Sequence, residues 1–294
     1  MKKTRLSRII VFTMISLILF IITGCENKTT TEKINEKPII AVSIVPQKTF
    51  AEAVCGDMAE VIVMIPPGNS PANYEPTPQE IEQFSKAKLY FAIGVPTEEA
   101  NIIPKAEEIS EMKIIRLQDD VSKMYPDREL APGKRDPHIW LSPKRAMVMV
   151  ESIAREMAEF DPANKEKYEE NAQKYITELE DLDKEINNAL KDVEDRKFIV
   201  FHPAFGYFAD DYNLEMYALE ENGKEATPQR LKEMVDLAKE ENIKAIFYQA
   251  EISSKQAESF AEEIGGKTIQ LAPLAPNYIE NFKKMTELIS EIMQ

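Results

Sequence analysis

One stretch of this 294-residue chain admits a single kind of secondary structure. Between Pro162 and Arg196 the apolar residues Tyr168, Ala172, Tyr175, Ile176, Leu179, Leu182, Ile186, Ala189, Leu190 and Val193 recur at spacings of three and four, and the remaining positions are mostly Glu, Asp, Lys and Asn. That spacing describes one face of an amphipathic helix. Asp161-Pro162 supplies a start, and no internal Gly or Pro interrupts the pattern. A helix of about 30 residues would run roughly 45 Å. Coiled-coil dimerisation is one use for such a helix; a rigid strut between two halves of one chain is the other. The flanks favour the strut. Short β-branched runs precede it (Ile39–Val45, Glu60–Ile65, Lys88–Ile93, Lys113–Leu117) and follow it (Phe198–His202, Glu215–Leu219, Lys244–Gln249, Lys267–Leu271). Helical patterns such as Gln47–Cys55, Pro78–Ser85, Pro143–Phe160, Pro228–Glu241 and Ser254–Ile264 lie between them. Alternation of this kind implies βαβ units. Runs apolar at successive positions, such as Ala245-Ile246-Phe247-Tyr248, suit strands covered on both faces. The expected fold is α/β, two lobes with parallel sheets joined by one long backbone helix. The N-terminal lobe is placed at 38–161, the linking helix at 162–196 and the C-terminal lobe at 197–294.

The N-terminus places the chain outside the cytoplasmic membrane. Residues 1–24 carry Lys2, Lys3, Arg5 and Arg8, then an almost unbroken apolar run from Ile9 to Ile22. The run is short for a spanning helix and reads as a signal peptide. Ile22-Thr23-Gly24-Cys25 closes it in a pattern that resembles a lipoprotein lipobox, so Cys25 is the expected lipid attachment point, at the extracytoplasmic face of the cell membrane. The polar, Lys- and Thr-rich segment over 25–37 reads as a flexible tether. With Cys25 lipidated, Cys55 has no partner for a disulfide, and the folded part depends on its core.

The net charge is −15 over the full chain and becomes more negative once the basic signal residues are removed. Such a balance argues against nucleic acid and against docking on anionic lipid. It suits a protein that attracts cations, though solubility accounts for it equally well.

The chemistry-bearing residues are few. The chain holds 2 histidines, each inside a dense motif: Asp136-Pro137-His138-Ile139-Trp140-Leu141-Ser142-Pro143, with the only Trp, and Phe201-His202-Pro203-Ala204-Phe205-Gly206-Tyr207-Phe208. Core histidines satisfied by hydrogen bonds are the plainer reading of either motif alone. Position changes the balance, because parallel strands deliver ligands at their C-terminal ends. His202 closes the first strand after the long helix, and His138 precedes the helix that starts at Pro143. One imidazole from each half points to a metal site in the cleft.

These motifs, with Pro66-Pro67-Gly68, Tyr74-Glu75-Pro76-Thr77-Pro78 and Glu225-Ala226-Thr227-Pro228, resemble the substrate-binding lipoproteins of zinc and manganese ABC transporters, the cluster-nine solute-binding family. The resemblance runs from about Ile39 to the C-terminus. It implies two α/β lobes on a long helix, one metal ion between them and delivery to a membrane permease. It also implies a ligand from the first loop, one from the Asp-Pro-His motif, one after the first strand of the second lobe, and a late carboxylate. His138 and His202 match the second and third. The other two positions hold Ala72 and Ala272, which have no donor atom. Asn73, beside the first, and Glu251, in Tyr248-Gln249-Ala250-Glu251, are the candidate replacements; a helix-capping role for Glu251 is the competing reading.

The function expected on these grounds is a monomeric, lipid-anchored receptor that passes a divalent transition metal to an ABC permease. Zinc ranks ahead of manganese because both matched ligands are imidazoles. A receptor of the same fold for a metal chelate or a non-metal solute is the alternative. An extracellular metal hydrolase ranks below both, since no His-Glu-x-x-His or nucleophile-elbow pattern accompanies the histidines.

Overall fold

The computed structural model describes residues 37–220, 224–252 and 255–293. The expected signal peptide, Cys25 and the tether up to residue 36 lie outside the described residues.

Chain order in the first lobe is β1 (Ile39–Val42), α1 (Val45–Cys55), β2 (Glu60–Val63), α2 (Pro78–Phe84), β3 (Leu89–Ala92), α3 (Ile103–Glu107), β4 (Lys113–Arg116) and α4 (Leu117–Met124). A short antiparallel hairpin, β5 (Glu129–Ala131) and β6 (Lys134–Arg135), precedes α5 (Pro143–Phe160). The long helix α6 (Lys165–Leu190) follows. The second lobe contains β7 (Lys197–Val200), α7 (Gly206–Asp211), β8 (Glu215–Ala218), α8 (Pro228–Glu240), β9 (Ala245–Gln249), α9 (Lys255–Glu263), β10 (Lys267–Leu271) and α10 (Tyr278–Ile292).

Both lobes use one plan. The first sheet has the order β2-β1-β3-β4 and the second β8-β7-β9-β10, with every pairing parallel. In each, the strand order reverses beside the first strand of the lobe, which is where open α/β sheets place ligands. The lobes also share a device at the helix after their second strand. Thr77 and Thr227 each cap the following helix through the side-chain oxygen, with Pro at the first helical position. Two motifs of the sequence thus serve as helix starts.

The long helix is 26 residues, about 39 Å at the usual rise. A turn of 3₁₀ helix over Pro162–Asn164 replaces the expected α-helical start, and Asp161 turns its carboxylate to Asn164 and Tyr168 instead of capping. The helix stops at Leu190, short of the expected Arg196. Asp192, Glu194 and Asp195 follow, and acidic residues are unfavourable at the negative end of a helix dipole. Arg196 folds back there to donate to the Lys191 carbonyl at 3.2 Å.

The apolar face of α6, from Tyr168 to Leu190, lies against α1 and α5 of the first lobe and against α10. One apolar cluster consequently runs from Ile40 and Phe91 of the first sheet through α6 to Phe198, Val200 and Phe247 of the second. The alternate residues Ile199 and Ile246 turn to the other face and pack with Met234 and Phe260 in a cluster of their own.

Candidate metal site

His138 and His202 are brought together. Their Nε2 atoms are 3.2 Å apart and the rings meet edge to face with centroids 5.1 Å apart. Two Zn–N bonds of about 2.0–2.1 Å at a tetrahedral angle separate their nitrogens by roughly 3.3 Å. The spacing is that of two ligands on one ion.

Each ring is held from behind by a carboxylate. Asp136 is fully buried; its Oδ1 accepts from His138 Nδ1 at 2.7 Å and from the His138 backbone N–H at 3.0 Å. Glu220 Oε2 accepts from His202 Nδ1 at 2.6 Å. An ionised carboxylate only accepts, so each Nδ1 carries a proton, and in the neutral ring each Nε2 presents a lone pair. Two facing lone pairs repel, and a shared proton or a cation between them removes the conflict. Carboxylate-backed imidazoles are also the usual arrangement behind a metal-binding histidine. Burial holds the His138 imidazolium below its ordinary pKa despite Asp136, which favours the neutral ring a metal needs.

Local structure explains the placement. The turn Ile139–Leu141 follows His138, and Ser142 then caps α5 by accepting the Arg145 N–H at 3.2 Å. Trp140 lies 5.2 Å from His138, ring to ring, and donates its indole N–H to the Pro273 carbonyl at 3.1 Å. Tyr278 donates to the Trp140 carbonyl at 2.7 Å. His202 follows β7, where the Phe201 N–H still bonds the Phe247 carbonyl at 2.7 Å. The first lobe's histidine loop is therefore stitched to the second lobe beside its partner ring.

The other two candidates stand apart from this pair in character. Glu251 sits just beyond β9, beside the end of β10 that carries Ala272; the Ala250 N–H bonds the Leu271 carbonyl at 3.0 Å. Its carboxylate is half-buried, Oε2 has no hydrogen-bond partner among the described residues, and burial raises its pKa. Asn73 is exposed in the loop after β2, next to Ala72. That loop is pinned by Thr97 N–H to the Pro71 carbonyl at 3.1 Å and by the Asn101 amide to the Tyr74 carbonyl at 2.8 Å. Among the described residues, no three His, Cys, Asp or Glu side chains stand together as a ready metal cluster. Sequence reasoning assigned no role to Asp136 or Glu220. Asp136 lay in view two residues before His138. Glu220 could have been found as the second residue beyond β8, the strand that neighbours the one leading to His202.

Residues 40–292 match the family model described as the periplasmic component A of the zinc-uptake complex. The high-affinity zinc uptake system protein ZnuA of Bacillus subtilis (strain 168) is 30% identical over 271 residues, covering 87% of this chain and 85% of its own length. The iron ABC transporter substrate-binding lipoprotein MtsA of Streptococcus pyogenes serotype M1 is 28% identical, covering 85% and 84%. A crystal structure of ZnuA superimposes with a TM-score of 0.83 at 38% identity, over 88% of this chain and 100% of that one. The chain belongs to the family of periplasmic zinc-uptake components.

Proposed function

We propose that this protein is an extracytoplasmic receptor that captures a divalent transition metal, zinc ahead of manganese, and hands it to the permease of an ABC importer. The carrying observation is the pair of Nε2 atoms at 3.2 Å, each ring backed by a carboxylate. Imidazole donors favour zinc over the harder manganese ion. His138 and His202 are the principal ligands. Glu251 is the third: it follows β9, whose end pairs with the end of β10 that precedes Ala272, and its carboxylate would offset the ion's charge. Asn73 completes the set through its amide oxygen.

The receptor works as a monomer, anchored by lipid on Cys25 after removal of residues 1–24. Among the described residues no helix is long and apolar enough to cross a membrane. The family is one of transporter receptors, so the hydrolase alternative falls away.

Titration calorimetry with Zn²⁺ on chelator-stripped protein tests the reading. Wild type should bind one ion, and His138→Ala and His202→Ala should each lose that binding. A wild type that takes no free metal would sink it. Because Ala72 and Ala272 offer no donors, a metal chelate bringing its own is the second reading, and binding of zinc only together with a small chelator would favour it.

A further inference from the structure

We propose that Arg128 is a positioning residue of the metal site, seated against the bare face of Gly206 and acting through Asp136 on the ring of His138. The inference rests on the receptor reading above and names a residue that touches no metal ligand itself.

Gly206 opens α7 with a φ outside the left-handed region, so its backbone does not require glycine. A Cβ at Gly206 would lie 2.1 Å from Arg128 Nε and 2.8 Å from its Cδ and Cζ, and these are the three nearest atoms. The space a side chain would occupy is filled by Arg128 of the other lobe.

From that seat Arg128 reaches two carboxylates. Its Nη1 donates to both oxygens of Asp210 in α7 at 2.8 Å. Its Nε lies 3.5 Å from Asp136 Oδ2, a charge contact and not a hydrogen bond. Both of those atoms are buried and, among the described residues, without a hydrogen-bond partner. The backbone joins in: the Arg128 N–H bonds the Tyr207 hydroxyl at 3.1 Å, Tyr207 donates to the Asp136 carbonyl at 3.0 Å, and the Asp136 N–H bonds the Arg128 carbonyl at 2.7 Å. Arg128 therefore closes a ring between the hairpin, the His138 loop and the helix that follows His202. Without the guanidinium, Asp136 keeps a fully buried oxygen with no counter-charge. The carboxylate then has reason to turn, and His138 loses the acceptor that fixes its proton on Nδ1.

The test combines zinc titration with imidazole ¹⁵N spectra of the metal-free protein, in which 2 histidines give only two ring patterns. Arg128→Ala should weaken zinc binding about tenfold, the lower end for partners behind a ligand. Arg128→Lys, which keeps the charge, should recover part of it. Gly206→Ala should lose a similar factor by displacing Arg128, and the double variant should be no worse than either single. The His138 pattern should move in Arg128→Ala and Gly206→Ala while that of His202 stays. Arg128→Ala within twofold of wild type, or Gly206→Ala losing affinity where Arg128→Ala does not, would overturn the proposal. A wild type that binds no zinc overturns the receptor reading, and the metal-free spectra still decide: an unmoved His138 overturns the positioning role as well.

Discussion

Arg145 of α5 and Asp211 of α7 form an ion pair across the two lobes, Nη1 to Oδ1 at 3.0 Å, with side chains only 5% and 10% exposed. The Arg145 guanidinium lies over the Tyr207 ring at 4.3 Å and the Tyr125 ring at 5.2 Å, and Ser142 donates to the second Asp211 oxygen at 2.5 Å. Removing one partner strands the other charge in the interior. Asp211→Ala is therefore expected to lower the unfolding free energy by about 3 kcal/mol in urea titrations. A loss under about 1 kcal/mol would mean that water reaches the guanidinium and the tie is weak.

The same tie, together with the shared core along α6, leaves little freedom for the lobes to swing apart. Helices kink at Pro, Gly or inserted groups, and α6 has neither residue. The radius of gyration from solution scattering should be nearly the same with and without zinc. A marked compaction on adding metal would contradict the strut.

Glu98 provides a pH-dependent contribution away from the histidines. It is fully buried at the ends of β1 and β3, where it accepts the N–H groups of Ile93 at 2.9 Å and Gly94 at 2.6 Å and the Ser43 hydroxyl. Burial nonetheless pushes its carboxyl up to about 7 from the ordinary 4.5. An acid whose pKa is raised on folding binds its proton more tightly in the native state. Its stabilisation is thus present in full below about 4.5 and is lost as pH rises through about 7. The shift corresponds to about 3 kcal/mol. In Glu98→Gln the difference in unfolding free energy between pH 5 and pH 8 should change by an amount of that order, in the direction of greater relative stability at pH 8. An unchanged pH profile would show that the native carboxyl titrates normally.

Metal should stabilise the fold by mass action. At free zinc 100-fold above the dissociation constant the gain is about 2.7 kcal/mol, or roughly 5 °C or more in melting temperature for a chain of this size. Glu251→Gln should reduce that gain more than Asn73→Ala, since it also removes a charge opposite the ion. Equal and negligible effects of both would leave the histidines as the only side chains from this set on the metal.

Much of the architecture could be read from periodicity. Each β-branched run overlaps a strand, the central strands β1, β3, β7 and β9 being buried at nearly every residue, and the long helix carries its face at unbroken helical spacing. Helix α10 has the same kind of signal in Tyr278, Phe282, Met285 and Ile289. The β5–β6 hairpin is too short for alternation to register, and only Pro132-Gly133 marks its turn. At the site, the two imidazoles were legible because each sits in its own motif. Their carboxylate partners were less so: Glu220 meets His202 only when β8 pairs with β7. Arg128 was invisible, since its role depends on a missing Cβ in the other lobe.

The apolar cluster that passes from β1 through α6 to β7 and β9 also bears on how such a receptor can change over time. Cut near Asp161, the first lobe would lose the side of that cluster that α6 supplies, so a change on the face of this helix is felt in both lobes. The loop positions Ala72, Asn73, Glu251 and Ala272 lie outside that cluster, so substitutions there leave the frame behind them as it is.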